Sequence, residues 1–163
     1  MITFRDLESG DKGLLVQYLN NANVTKHLSS RIPQPYSDTD AEWWVTSGSK
    51  VGVVKAIIFK NILVGVIGVT PGEHEHSRSA ELGYWLCESY WGNGIATVAV
   101  ESMTKDIFSN TEIIRLFAHI FSPNIDSMNV VRKCGYKLEG INEKAIYKHG
   151  QYLDSHLYAK INT

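Results

Sequence analysis

The chain has 163 residues, 44% of them hydrophobic and 20% charged, the length and composition of one globular domain with a real core. Its formal net charge is -1, from 16 basic and 17 acidic residues, so nothing in the overall field calls for a nucleic-acid or membrane-surface partner. Cys87 and Cys134 lack metal or redox spacing, the N-terminus is not signal-like, and no run of about 18 apolar residues occurs; free thiols, a cytoplasmic setting and no membrane span are expected.

Ile2 to Leu7 alternates apolar and polar residues and predicts a short first strand. Ser9 to Leu19 places Leu14, Leu15, Tyr18 and Leu19 on one side and predicts a helix. Asn20 to Asn23 interrupts it, with a further helical turn from Val24 to Leu28, and Pro33 and Pro35 make the next stretch a loop. Asp38 or Ser37 is placed to cap a short helix that ends before Gly48. Val51 to Phe59 and Leu63 to Thr70 are rich in β-branched residues and predict an antiparallel hairpin across Lys60-Asn61-Ile62. Pro71 to Ser79 is polar and reads as an exposed turn.

Ala80 to Leu86 predicts the next strand, and Ile95 to Phe108 a helix broken at Asn110 to Glu112. Arg115 to Ile120 reads as a strand, followed by a helix from Ile125 to Lys133 that Gly135 ends. Tyr136 to Tyr147 and Tyr152 to Lys160 form a last strand pair across Lys148-His149-Gly150-Gln151. The order predicts an α/β sheet of mixed direction. With no repeat, linker or low-complexity tract, residues 1–163 are expected to form a single domain.

Tyr90-Trp91-Gly92-Asn93-Gly94-Ile95-Ala96-Thr97 lies between a strand and a helix start. Glycines let backbone N–H groups turn toward one point, and the first helical turn adds unsatisfied donors and a positive dipole end. Such a turn suits the pyrophosphate of a nucleotide-containing cofactor; a glycine connection with no ligand is the plain alternative. A P-loop needs Lys and Ser/Thr after its second glycine, and a Rossmann turn needs a third glycine where Thr97 stands; both fail. A second stretch, Asn124 to Tyr136, combines a polar helix start with a glycine stop, and Asn124 and Ser127 share one side of its first turn.

Together these stretches resemble the GNAT superfamily of acetyl-CoA-dependent N-acetyltransferases, whose cofactor motif Gln/Arg-x-x-Gly-x-Gly/Ala maps onto Trp91 to Ala96. The family's later pattern, Asn-x-x-Ser/Ala ending in Gly-Phe/Tyr, maps onto Asn124, Ser127, Gly135 and Tyr136. The likeness is closer to the RimJ/RimL-like branch, through Ala80-Glu81-Leu82-Gly83-Tyr84-Trp85-Leu86 and His149-Gly150-Gln151-Tyr152-Leu153-Asp154. The resemblance implies a mixed, mostly antiparallel sheet of about seven strands flanked by about four helices and splayed at the cofactor site.

It also implies roles for particular residues. Backbone of Tyr84, Trp85 and Leu86 would hold the pantetheine arm of acetyl-CoA, and the amides of Gly92, Asn93, Gly94, Ile95, Ala96 and Thr97 its pyrophosphate. Asn124 would bond the pantetheine or its thioester end, and a backbone N–H near Leu86 would stabilise the oxyanion as a neutral amine attacks. Trp91 replaces the usual Gln or Arg and is expected to pack, as the nearest branch suggests. The Tyr that often serves as general acid falls at Val131, so the resemblance makes Ser127 the best-placed proton donor to the thiolate, against a first-turn Ser that satisfies local backbone.

Glu81 is the first choice for the base, against a merely solvated carboxylate. The branch points to a protein N-terminal amine as acceptor, with a small amine or a silent acyl-CoA-binding module as alternatives, in a monomer or homodimer. No metal is expected; Glu73-His74-Glu75-His76 reads as a solvated loop or substrate rim. Trp43 or Trp44 packs its helix on the sheet or lines the acceptor cleft, and Tyr152 and Asp154 are strand residues within possible reach of the amine.

Overall fold

The computed structural model describes residues Met1–Thr163. Its strands are β1 (Ile2–Arg5), β2 (Val53–Phe59), β3 (Ile62–Pro71), β4 (Ser79–Leu86), β5 (Arg115–Phe121), β6 (Lys137–Lys148) and β7 (Gln151–Ile161). Its helices are α1 (Lys12–Leu19), α2 (Ala22–Thr25), α3 (Asp38–Thr46), α4 (Ile95–Asn110) and α5 (Ile125–Lys133). The seven strands form one open, mixed sheet in the order β1-β2-β3-β4-β5-β7-β6. β4 and β5 pair in parallel, whereas β1–β2, β2–β3, β5–β7 and β6–β7 are antiparallel. No helix is long and apolar enough to cross a membrane.

The chain divides into two compact units, residues 1–69 with 84–96, and residues 70–83 with 97–163. In the first, α1, α2 and α3 bury Leu15, Leu19, Val24, Ala41 and Val45 in one cluster with Ala56, Ile58, Leu63 and Val66 of β2 and β3. Burying each Val, Leu or Ile of this cluster contributes about 1.5–3 kcal/mol, the term that holds the helices down. The β2–β3 hairpin closes on Lys60 and Asn61 alone, at φ 52° and 65°, the pair of left-handed residues a two-residue primed turn needs. Ile62 therefore belongs to β3 and not to the turn.

Local hydrogen bonds set the helix starts. Ser37 Oγ accepts from the Asp40 N–H at 3.2 Å while Asp40 Oδ2 accepts from the Ser37 N–H at 2.9 Å, a reciprocal cap on α3. Ahead of α1, Asp11 Oδ2 accepts from the Glu8 N–H, and both Asp11 oxygens accept from Arg5 at 2.8 and 2.9 Å. Burial alone would push the Asp11 carboxyl up. The Arg5 guanidinium and the Glu8 N–H outweigh it and hold the group below the usual carboxylate range. Ser9 to Asp11 consequently forms a 3-10 turn, and the α-helix begins later than periodicity predicts, at Lys12.

In the second unit β5 alternates buried Leu116, Ala118 and Ile120 with more open Arg115, Phe117, His119 and Phe121. On the buried side Tyr158 and Lys160 of β7 engage α5: Arg132 donates to the Tyr158 hydroxyl and Lys160 to the Cys134 carbonyl. Helix α5 ends where Gly135 turns to φ 88°, with Gly135 N–H donating to Arg132 O and Tyr136 N–H to Val131 O, a Schellman stop. The β6–β7 hairpin turns on His149 and Gly150, again at positive φ, 51° and 74°.

Candidate active site

In the first unit the end of β4 is anchored by its neighbours. Cys87 N–H donates to the Val64 carbonyl at 2.8 Å, and a Cβ added to Gly65 would lie 2.2 Å from the Trp85 carbonyl oxygen, so β3 and β4 approach as only glycine permits. The Trp85 ring meets Tyr18 edge-on at 6.2 Å, and the Tyr18 hydroxyl donates to the Leu63 carbonyl at 2.8 Å.

After β4 the chain makes a 3-10 turn, Glu88–Tyr90. Trp91 then folds its indole back so that Nε1–H donates to the Leu86 carbonyl at 2.9 Å, with the residue 43% exposed. Trp91 is thus a clasp on the strand end more than a packing residue, and the Leu86 carbonyl is committed to it. Asn93 Nδ2 donates to the Tyr90 and Trp91 carbonyls, both at 3.2 Å, which ties the turn to itself. Gly92 and Gly94 stand at φ 78° and 74°, and nothing lies within 4 Å of a Cβ built on either. Open space flanks both glycines where α4 begins, and first-turn amides have no partner within their own helix, the arrangement that accepts an anion. Ile95 is buried and contributes backbone alone.

In the second unit Asn124 caps α5: its Oδ1 accepts from the Ser127 N–H at 3.2 Å, which leaves the carboxamide N–H2 as the group with which Asn124 can donate. Ser127 is half-buried on that first turn, whereas Val131, one turn on, is fully buried in the core. Glu81 stands on β4 with Oε2 3.1 Å from His119 Nδ1, and Phe117 packs edge-on against the imidazole at 5.7 Å. His119 was not reached by sequence reasoning. The signal for it lies in β5, where Arg115, Phe117, His119 and Phe121 alternate onto one face.

Both cysteines are buried, and burial pushes both thiols up: Cys87 against the pull of Tyr18, Cys134 with the help of Glu101. Neither suits a thiolate nucleophile. The Tyr136 hydroxyl, 2.7 Å from Thr104 Oγ1, is pushed up to about 12 by burial and stays protonated at neutral pH.

The remaining sequence candidates separate cleanly. Trp44 packs against the core of the first unit, while Trp43 is 60% exposed and crowds Gly48. Asp154 Oδ1 accepts from the Lys144 N–H at 2.9 Å and its own N–H donates to Ser122 Oγ, so this carboxylate supports the β6 bulge. Tyr152 is exposed beside Tyr147, ring centroids 5.0 Å apart. His74 to His76 forms an exposed 3-10 turn, and no three His, Cys, Asp or Glu side chains converge to hold a metal ion.

Comparison with known proteins places these features in context. Residues 2–137 match the GNAT acetyltransferase domain family. The chain is 25% identical over 166 residues to the N-acetyltransferase p20 of Bacillus licheniformis, covering 97% of this chain and 91% of that protein. It is 34% identical over 106 residues to the ribosomal-protein-serine acetyltransferase of Escherichia coli, covering 64% of this chain and 59% of that one. A solved structure of RimL, a ribosomal L7/L12 alpha-N-protein acetyltransferase in complex with coenzyme A, superposes with a TM-score of 0.86 at 24% identity, covering 98% of this chain and 93% of that one.

Proposed function

Because this chain belongs to the GNAT acetyltransferase family and is an acetyl-CoA-dependent N-acetyltransferase, we propose that its acceptor is the α-amine of a protein N-terminus, attacked directly in a ternary complex. The observation that carries the cofactor half is the glycine turn with open space at Gly92 and Gly94. The likeness to a ribosomal-protein-serine acetyltransferase supports the acceptor half. The family match runs through residues of both units and supports reading residues 1–163 as one catalytic domain.

Acetyl-CoA supplies an activated acyl thioester. The amides of Gly92, Asn93, Gly94, Ile95, Ala96 and Thr97 hold its pyrophosphate. Tyr84, Trp85 and Leu86 hold the pantetheine through backbone, and the Asn124 carboxamide donates to the pantetheine end. A neutral amine attacks the carbonyl, with a backbone N–H near Leu86 facing the developing oxyanion. Ser127 donates a proton to the leaving thiolate, and Glu81, with its partner His119, takes charge of the proton on the amine. The buried, raised thiols of Cys87 and Cys134 support direct transfer over an acyl-cysteine intermediate.

The test is incubation with acetyl-CoA and either peptides bearing free N-terminal serine or alanine, or spermidine, following thiol release and locating the acetyl group by mass spectrometry. Acetylation of the peptide α-amine supports the proposal. Turnover of spermidine alone makes the protein a small-amine enzyme, and coenzyme A binding without turnover of any amine makes it a binding module.

A further inference from the structure

On the face of the second unit's sheet opposite the Tyr158 and Lys160 side chains, β5 presents Phe117, His119 and Phe121 across from Ala159, Leu157 and Ser155 of β7. The β4–β5 ladder pairs Ser79, Ala80 and Glu81 with Arg115, Leu116 and Phe117, and His119 stands two residues beyond its last pair. There Glu81 Oε2 meets His119 Nδ1 at 3.1 Å, with the two side chains 50% and 40% exposed. An ionised carboxylate only accepts. In the neutral imidazole the Nδ1 therefore carries the hydrogen and donates it to Glu81, which leaves the Nε2 lone pair as the free basic site. Phe117, edge-on at 81°, holds the ring plane.

The other charged groups on this face come from β5 and β6, and they include Lys137, which stands across from Ala159. Arg115 is paired with Glu139 of β6 at 2.6 and 2.7 Å, and the Lys148 ammonium of β6 lies over the Phe121 ring at 5.9 Å. The facing residues of β7 carry no charge. Glu81 is thus the only carboxylate that contacts the imidazole, and the pair has the geometry of a base with its orienting acid.

We propose that His119 Nε2 is the proton acceptor for the attacking amine and that Glu81 is the residue that positions it, which rests on the reading of this chain as an α-amine acetyltransferase. The ammonium N–H bond breaks and its proton passes to Nε2. The freed lone pair forms the N–C bond, the C–S bond breaks, and the thiolate takes the Ser127 hydroxyl proton. The second amine proton restores the Ser127 hydroxyl, and the imidazolium releases its proton to water. The imidazole takes the base role expected of Glu81, because the Glu81 hydrogen bond at Nδ1 leaves the Nε2 lone pair to accept the proton.

The assay uses acetyl-CoA and a short peptide with a free N-terminal serine. His119→Ala lowers kcat/KM about 100-fold at pH 7, the ordinary worth of a general base. Its coenzyme A affinity by calorimetry is unchanged, and added imidazole restores part of the rate. The deficit narrows as the pH passes about 8, where an α-amine loses its proton unaided. Glu81→Gln costs about tenfold, because the imidazole loses the acceptor that orients it. Independently of any acceptor, nitrogen NMR of the wild-type protein shows His119 protonated at Nδ1, a preference that Glu81→Gln relaxes. A deficit that is constant with pH and indifferent to imidazole, or an Nε2-protonated imidazole in the wild type, overturns the proposal. Failure of the wild type to acetylate the peptide overturns the α-amine reading instead, and the tautomer measurement then decides the role of His119 by itself.

Discussion

The Asn21 carboxamide donates a 2.9 Å hydrogen bond to Glu88 Oε1, joining the start of α2 to the turn that leads into the glycine loop. Asn23 adds two more bonds of 3.1 Å to the same carboxylate, and the Glu88 carbonyl accepts from the Trp91 N–H at 3.1 Å. The two asparagines, Asn21 first, hold the Glu88 carboxyl below its usual range. A carboxyl lowered on folding contributes its contacts above its ordinary pKa and loses them as pH falls through the lowered value. Glu88→Ala is therefore expected to raise the KM for acetyl-CoA several-fold near neutral pH with kcat little changed. In the wild type the same weakening appears only at acidic pH. Unchanged KM in the variant would reduce the clamp to a surface ornament of the loop.

Gly65 and Gly83 make a matched pair for testing strand approach. A Cβ at Gly65 meets the Trp85 carbonyl at 2.2 Å and Leu86 Cδ2 at 2.7 Å, both too close for any side chain, while nothing lies within 4 Å of one at Gly83. Gly65→Ala is expected to destabilise by about 2–3 kcal/mol, the range for overpacking against backbone, and Gly83→Ala by less than about 0.5 kcal/mol. Urea unfolding of the two variants checks this. Equal stabilities would mean that β3 and β4 have room that the geometry denies.

The fold was largely legible because its signals are local. Lys60-Asn61, Ser37 and Gly135 each act within four residues, and the structure uses each as turn, cap and stop. Boundaries slipped where a distant partner intervened: Asp11 serves Arg5 and Glu8, which delays α1, and the two-residue turn claims no third position from Ile62. The contacts around the candidate site were not legible for the same reason. His119 reaches Glu81 across 38 residues through a parallel register, and Asn21 reaches Glu88 across 67. Periodicity along the chain carries no information about either pairing. Trp91 shows the limit of a motif comparison: it identifies the position but not the indole bond to Leu86.

Asn124 has two jobs that a single substitution can separate. Its Oδ1 caps α5 at the Ser127 N–H, and its nitrogen is the donor assigned to the pantetheine. Asp caps as well as Asn but cannot donate, so Asn124→Asp should keep the melting temperature and lose about 10–100-fold in kcat/KM. Asn124→Ala should also lose about 1 kcal/mol of stability, or about 2–4 °C in Tm. An active Asn124→Asp beside an impaired Asn124→Ala would assign the residue to capping alone.

Tyr136 offers a test at the alkaline end. Its hydroxyl shares a 2.7 Å hydrogen bond with Thr104 Oγ1, and burial pushes it up to about 12 from 10.0. Above the unfolded value the unfolded chain gives up a proton that the folded chain keeps, so stability falls as pH rises from about 10 to about 12, by about 2–3 kcal/mol over that span. Tyr136→Phe removes that slope but strands the Thr104 hydroxyl, which costs about 1–2 kcal/mol at neutral pH. The variant should therefore be less stable than the wild type at pH 7 and match or overtake it by pH 12. Tyr36, also raised to about 12 by burial and by Asp40, leaves a residual slope in both proteins. Denaturant titrations at several pH values read the difference directly. Parallel curves for wild type and variant would show that Tyr136 ionises as freely in the fold as outside it.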